Sequence, residues 1–113
     1  MDVSVVGRHM EVTEAMKKHA EEKVGKLPRL YDGLQSADVT FALDAAEYVV
    51  EIVAHGRRKS VFVARQHGKE MYACLDQCAQ KLEAQLRRHK DRVRDHHGPP
   101  HEQTMTPEGP TET

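Results

Sequence analysis

Tryptophan is absent from this 113-residue chain, and aromatic residues make up only 4% of it. Stacking on unpaired bases needs aromatic platforms, and three Tyr and two Phe supply few. Cysteine is almost as scarce. Cys74 and Cys78 lie four apart on one side of a predicted helix, where they read as small apolar filler in a reducing compartment. No apolar run approaches the roughly 20 residues that span a bilayer. The start, MDVSVVGRH, lacks the basic flank and apolar core of a signal peptide, so a cytoplasmic location is expected. Glycines are scattered, which leaves no glycine-rich phosphate loop. Ser4, Ser36 and Ser60 carry no local nucleophile motif. Of eight histidines, His89, His96, His97 and His101 cluster, but without CxxC or HExxH spacing. The residues therefore point to no catalytic constellation, no cofactor, no small-molecule substrate and no metal site; the protein reads as a non-enzyme.

What is present is periodicity. Met71, Leu75, Cys78, Leu82, Leu86, His89 and Val93 recur at steps of three or four, which predicts one long helix within Lys69 to Arg94. At about 1.5 Å per residue it would run roughly 38 Å, longer than a small sheet can cover. Its first half is apolar enough to pack on a sheet. Its second half is not: from Lys81 to Arg94, Lys81, Arg87, Arg88, Lys90, Arg92 and Arg94 face only Glu83 and Asp91, a net of +4 in a chain of net −1. Positive charge is gathered on one projecting helix end.

Upstream, Asp2 to Gly7 reads as a short β-branched strand. Thr13 is placed to cap a helix whose apolar stripe is Met16, Ala20, Val24 and Leu27. Pro28 sets a boundary near Leu27, or a kink. SADVTFALD alternates cleanly, with Ala37, Val39, Phe41 and Leu43 on one side. EYVVEIVAH does the same through Tyr48, Val50, Ile52 and Ala54. Gly56 and Arg57 read as a tight hairpin turn, followed by RKSVFVAR as a further strand. The order β-α-β-β-β-α predicts an α+β fold: a two-layer sandwich, a four-stranded sheet with both helices on one face. Four of the five prolines and no Lys or Arg follow Asp95. That divides the chain into a folded domain, 1–95, and an acidic, proline-containing tail, 96–113, expected to be disordered.

Lys23 and Lys26 on the first helix, and Arg57, Arg58 and Lys59 at the hairpin, join the basic helix end. An array of this kind neutralises phosphates along a nucleic-acid groove. With so few aromatics, recognition by backbone shape fits better than base stacking.

Three stretches then make the chain familiar. EVTEAM (Glu11 to Met16) with KVGKL (Lys23 to Leu27), and above all MYACLD (Met71 to Asp76) followed by KLEAQL (Lys81 to Leu86) and His89-Lys90, resemble the bacterial ribosome hibernation factors in their short form. That family includes the ribosome-associated inhibitor and the hibernation-promoting factor, also called sigma-factor modulation proteins. The resemblance implies a fold similar to double-stranded RNA-binding domains. It implies a partner, the small ribosomal subunit and whole ribosome, and a site on ribosomal RNA in the channel for messenger and transfer RNA near the decoding centre. It implies translation inhibition by occlusion, in stressed or stationary-phase cells. By position, Lys23, Lys26, Lys81, Arg88, Lys90, Arg92 and Arg94 take the RNA-binding role. Family members commonly have arginine where this chain has Ala84, and Arg87, one turn on, is placed to take over. Alternatives are a protein-interaction regulator of a sigma factor and a general double-stranded RNA-binding module. The free protein is expected to be a monomer, and the tail either opposes ribosome pairing, as the resemblance implies for extended tails, or is solvated with no role.

Overall fold

The computed structural model describes residues 1–94, with side chains described through Lys90. The tail 96–113, with His96, His97 and His101, lies outside the described residues. In chain order the elements are β1 (Asp2–Arg8), α1 (Glu14–Gly25), β2 (Ser36–Asp44), β3 (Glu47–His55), β4 (Val61–Gly68) and α2 (Met71–Arg94), with short 3-10 turns at Leu27–Arg29 and Arg57–Lys59. The architecture is the expected α+β sandwich.

The sheet runs in the order β1-β2-β3-β4. β1 pairs with β2 in parallel across α1, and β2-β3-β4 form an antiparallel meander. Register places Val5, Val39, Ile52 and Ala64 in one row across the sheet, with Val3, Ala37, Ala54 and Phe62 in the row on the same face. Because strand side chains alternate, these rows meet the helices while Ser4, Asp38, Val53 and Val63 look the other way. Val24, Leu27, Phe41, Val50, Leu75, Cys78, Leu82 and Leu86 complete a core from which water is excluded. Leu43, expected to face inward, is more exposed (38%) because it lies at the strand end, beyond the helices.

Thr13 caps α1, its Oγ1 accepting from the Met16 N–H at 3.2 Å, and Glu14 sits in the first turn where the helix dipole favours an anion. α1 stops at Gly25. Pro28 occupies the separate 3-10 turn rather than a kinked continuation, since it has no N–H to extend an α-helix. Gly7 is fixed by close approach: a Cβ there would collide with the Met10 carbonyl oxygen.

The β3–β4 connection corrects the sequence reading. It is a five-residue loop, Gly56 to Ser60, with β4 beginning at Val61 rather than at Arg58. Gly56 is extended (φ −115°) and cannot drive a tight turn. The reversal is made instead by Arg58 and Lys59, both left-handed with φ of 56° and 63°, and closed by Gly56 N–H to the Ser60 carbonyl at 2.8 Å.

Candidate nucleic-acid interface

Three rings build one pole of the molecule. Tyr31 follows the 3-10 turn after α1, Phe62 is the second residue of β4, and His89 lies near the end of α2. Their centroids are 4.7 Å apart for Tyr31–His89, 5.1 Å for Phe62–His89 and 6.0 Å for Tyr31–Phe62, all edge-to-face. The loops around them are glycine where the Tyr31 ring lies. A Cβ at Gly33 would strike that ring, and one at Gly56 would come within 3.1 Å of it. The core therefore continues about one helical turn beyond Leu86 through His89, a stripe position in the half of α2 that reads as too polar to pack on the sheet.

This knot gathers cations that are far apart in sequence. Lys26 and Arg29 precede Tyr31; Arg57, Arg58 and Lys59 precede Phe62; Arg87, Arg88 and Lys90 flank His89. All eight are exposed, and none has a carboxylate within ion-pair distance among the described residues. With no such contact to neutralise them, these cations concentrate positive charge at this pole, which attracts a polyanion.

The predicted RNA-binding residues fall into four groups. Lys26, Arg87, Arg88 and Lys90 belong to the pole. Lys23 stands apart from them, its Nζ 3.5 Å from Asp76 Oδ1, the oxygen that His19 Nε2 also meets at 3.0 Å. His19 packs edge-to-face on Tyr72 at 5.0 Å, so Lys23 belongs to a joint between the two helices. Lys81 is half-buried and donates from Nζ to the Arg65 carbonyl at 2.9 Å. Beside it, buried Gln85 donates from Nε2 to the Val63 carbonyl at 2.7 Å. Together they cover the outer edge of β4, where unpaired carbonyls would otherwise invite another strand. Arg92 and Arg94 lie on the last turn of α2, with side chains outside the described residues. Ala84 is exposed on α2, one turn before Arg87 and Arg88.

Sequence reasoning missed Arg29 and the role of Tyr31. The signal that was there is a lone tyrosine two residues before a glycine, in a chain with few aromatics. The cysteines are free and buried. Cys78 Sγ donates to the Val50 carbonyl at 3.5 Å, and burial pushes its thiol up to about 12. Burial, then the carboxylates of Glu70 and Glu47, also raise Cys74. Such thiols are poor nucleophiles and poor ligands. No group of three metal-ligating side chains occurs among the described residues, and no described helix is long and apolar enough to cross a membrane.

Comparison with known proteins gives the family and the fold. The family model described as "Sigma 54 modulation protein / S30EA ribosomal protein" matches residues 3–94. The ribosome hibernation promoting factor of Azotobacter vinelandii is 32% identical over 92 residues, covering 81% of this chain and 85% of that protein. The ribosome hibernation promotion factor of Bacillus subtilis is 34% identical over 100 residues, but this chain spans only 50% of it. Among solved structures, the N-terminal domain of Thermus thermophilus Protein Y superposes with a TM-score of 0.73 at 27% identity, covering 79% of this chain and 99% of that one. A ribosomal subunit interface protein from Coxiella burnetii has the same fold, with a TM-score of 0.75 at 21% identity over 80% of this chain and 99% of that one. With the matched segment running from β1 to the last turn of α2, the chain belongs to the Sigma 54 modulation protein / S30EA ribosomal protein family.

Proposed function

We propose that this protein is a ribosome-binding hibernation factor that inhibits translation by occlusion. In this reading its basic pole and α2 grip ribosomal RNA of the small subunit in the channel for messenger and transfer RNA, near the decoding centre. The body, 47 × 25 × 19 Å, fills the channel and keeps the ribosome idle in stressed or stationary-phase cells. The protein acts in the cytoplasm. Occlusion needs a rigid body and phosphate contacts, and no covalent step.

The observation that carries this reading is the exposed cationic pole assembled from both helices and the β3–β4 loop. The family membership and the names of the relatives support it. Lys26, Arg87, Arg88, Lys90, Arg92 and Arg94 are assigned direct phosphate contacts. Lys23 and Lys81 contribute from the helix joint and the β4 edge.

The test is co-sedimentation with purified ribosomes and separated subunits at two salt concentrations. The expected result is stoichiometric, salt-sensitive binding to the small subunit and whole ribosome, lost when Arg87, Arg88, Lys90 and Arg92 are together changed to Ala. Absence of ribosome association at physiological salt would remove this reading. A second reading, regulation of a sigma factor through a protein surface, draws on the open sheet face, where Val6 and Val61 are 49% and 47% exposed. Binding through that face would survive the four-residue change.

A further inference from the structure

We infer that the β3–β4 loop, Arg57-Arg58-Lys59, is a dedicated RNA-phosphate contact that extends the surface of α1 and α2. The inference rests on the ribosome reading above and deepens it, adding direct phosphate contacts at loop residues to which that reading assigned none.

The first ground is backbone conformation. Arg58 (φ 56°, ψ 37°) and Lys59 (φ 63°) both occupy the left-handed region, which glycine or asparagine adopts with little strain. None of the described glycines has a positive φ. The chain therefore spends no glycine where two would relieve strain, and places two long cations there instead. The loop is held in this shape by three short bonds. Gly56 N–H donates to the Ser60 carbonyl at 2.8 Å, and both the Ser60 N–H (3.0 Å) and Oγ (2.7 Å) donate to the Arg57 carbonyl. Strained residues persist where surrounding structure over-determines them, and they concentrate at functional sites.

Placement is the second ground. Nothing among the described residues uses these side chains. Arg57, Arg58 and Lys59 are exposed and have no hydrogen bond or ion pair from their side chains among the described residues. Phe62, three residues past Lys59, holds this loop against Tyr31 and His89, beside Arg87, Arg88 and Lys90. Three cations on a fixed loop next to a helix end of the same sign cost stability through repulsion unless a polyanion is bound. Like charges so arranged are suited to successive phosphates, and a guanidinium suits phosphate by bidentate geometry.

The test compares two double variants with the wild type: Arg58→Gly/Lys59→Gly, and Arg58→Asn/Lys59→Asn. Both remove the charges, and both residues tolerate the left-handed backbone. Binding to purified ribosomes is measured across a salt series, with thermal unfolding of the free protein. The expected result is an affinity about tenfold weaker and a log–log salt slope shallower by about two. The glycine variant should unfold about 4 °C higher than wild type. Gained stability with lost affinity is a combination that a purely structural loop would not give. Unchanged affinity and slope in the asparagine variant, while the helix-end variant still loses binding, would overturn this inference and leave the ribosome reading standing. Weaker binding without a change in slope would overturn the phosphate assignment. If neither the loop variants nor the helix-end variant changed ribosome binding, both readings would fall.

Discussion

Ala45 turns the β2–β3 hairpin in a left-handed conformation, φ 57°, without a glycine or asparagine. A left-handed alanine carries about 1–2 kcal/mol of strain, partly offset in the unfolded chain when glycine replaces it. Ala45→Gly should therefore stabilise the domain by about 0.5–1 kcal/mol in chemical denaturation, with ribosome binding unchanged because the hairpin lies at the end away from the basic pole. Cys78 makes a prediction of opposite sign with pH. Its folded value is raised to about 12 from 9.0, so the native state favours the protonated thiol. That stabilisation is complete below pH 9 and is lost as pH rises toward 12, at up to about 1.4 kcal/mol per pH unit. Urea midpoints at about pH 8 and about pH 10 should show the fall, and Cys78→Ala should flatten it.

At the scale of elements, α2 is two helices in one. Leu75, Cys78, Leu82 and Leu86 bury one face against the sheet, while Lys81 and Gln85 reach sideways to the free carbonyls of β4. The ammonium of Lys81 is thus tied to the fold. Lys81→Met keeps the aliphatic stem and should cost about 0.5–1 kcal/mol of stability, while weakening ribosome binding less than Arg88→Ala does. Equal losses of affinity from the two would place Lys81 on the RNA directly. Ala84 and Arg87 test compensation along the exposed side. If Arg87 has replaced the family's arginine, Ala84→Arg leaves affinity unchanged and Arg87→Ala lowers it; the reverse pattern in a binding titration would reject the idea. The joint between helices is narrower: one oxygen of Asp76 meets both His19 and Lys23. Asp76→Asn should lower the thermal midpoint modestly, because both partners are substantially exposed and the pairing is screened by water.

On the scale of the whole molecule, charge and shape are separated. One pole carries Lys26, Arg29, Arg57, Arg58, Lys59, Arg87, Arg88 and Lys90, while the outward face of the sheet carries Asp2, Asp38, Asp44, Glu47 and Glu51 against Arg8 and Arg65. A body so polarised binds a polyanion in one orientation. Its affinity should fall steeply between low and physiological salt, with the slope of log affinity against log salt reporting the number of phosphates engaged, about 0.9 for each. Removing cations one at a time from the pole should lower that slope stepwise, whereas Ala45→Gly should not.

Most of the fold was legible in the sequence because it rests on local regularities. Alternation in SADVTFALD and EYVVEIVAH marked the strands, the Met16-Ala20-Val24-Leu27 and Leu75-Cys78-Leu82-Leu86 stripes marked the helices, and Thr13 marked where the first helix begins. The unipolar run after Leu86 pointed to a polyanion, and three short stretches carried the family resemblance. What the sequence could not decide depends on contacts between distant residues. Whether Gly56 makes a tight turn is settled by the register of β3 on β4, which starts β4 at Val61 and forces the reversal onto Arg58 and Lys59. Whether a lysine is free or occupied depends on what faces it: Lys81 meets the edge of β4, Lys23 meets Asp76, and Arg87 and Arg88 meet no carboxylate among the described residues. That Tyr31, Phe62 and His89 join, drawing three basic segments to one pole, follows from how the layers pack. Periodicity fixes which face of an element is apolar, and only packing fixes which neighbours that face brings together.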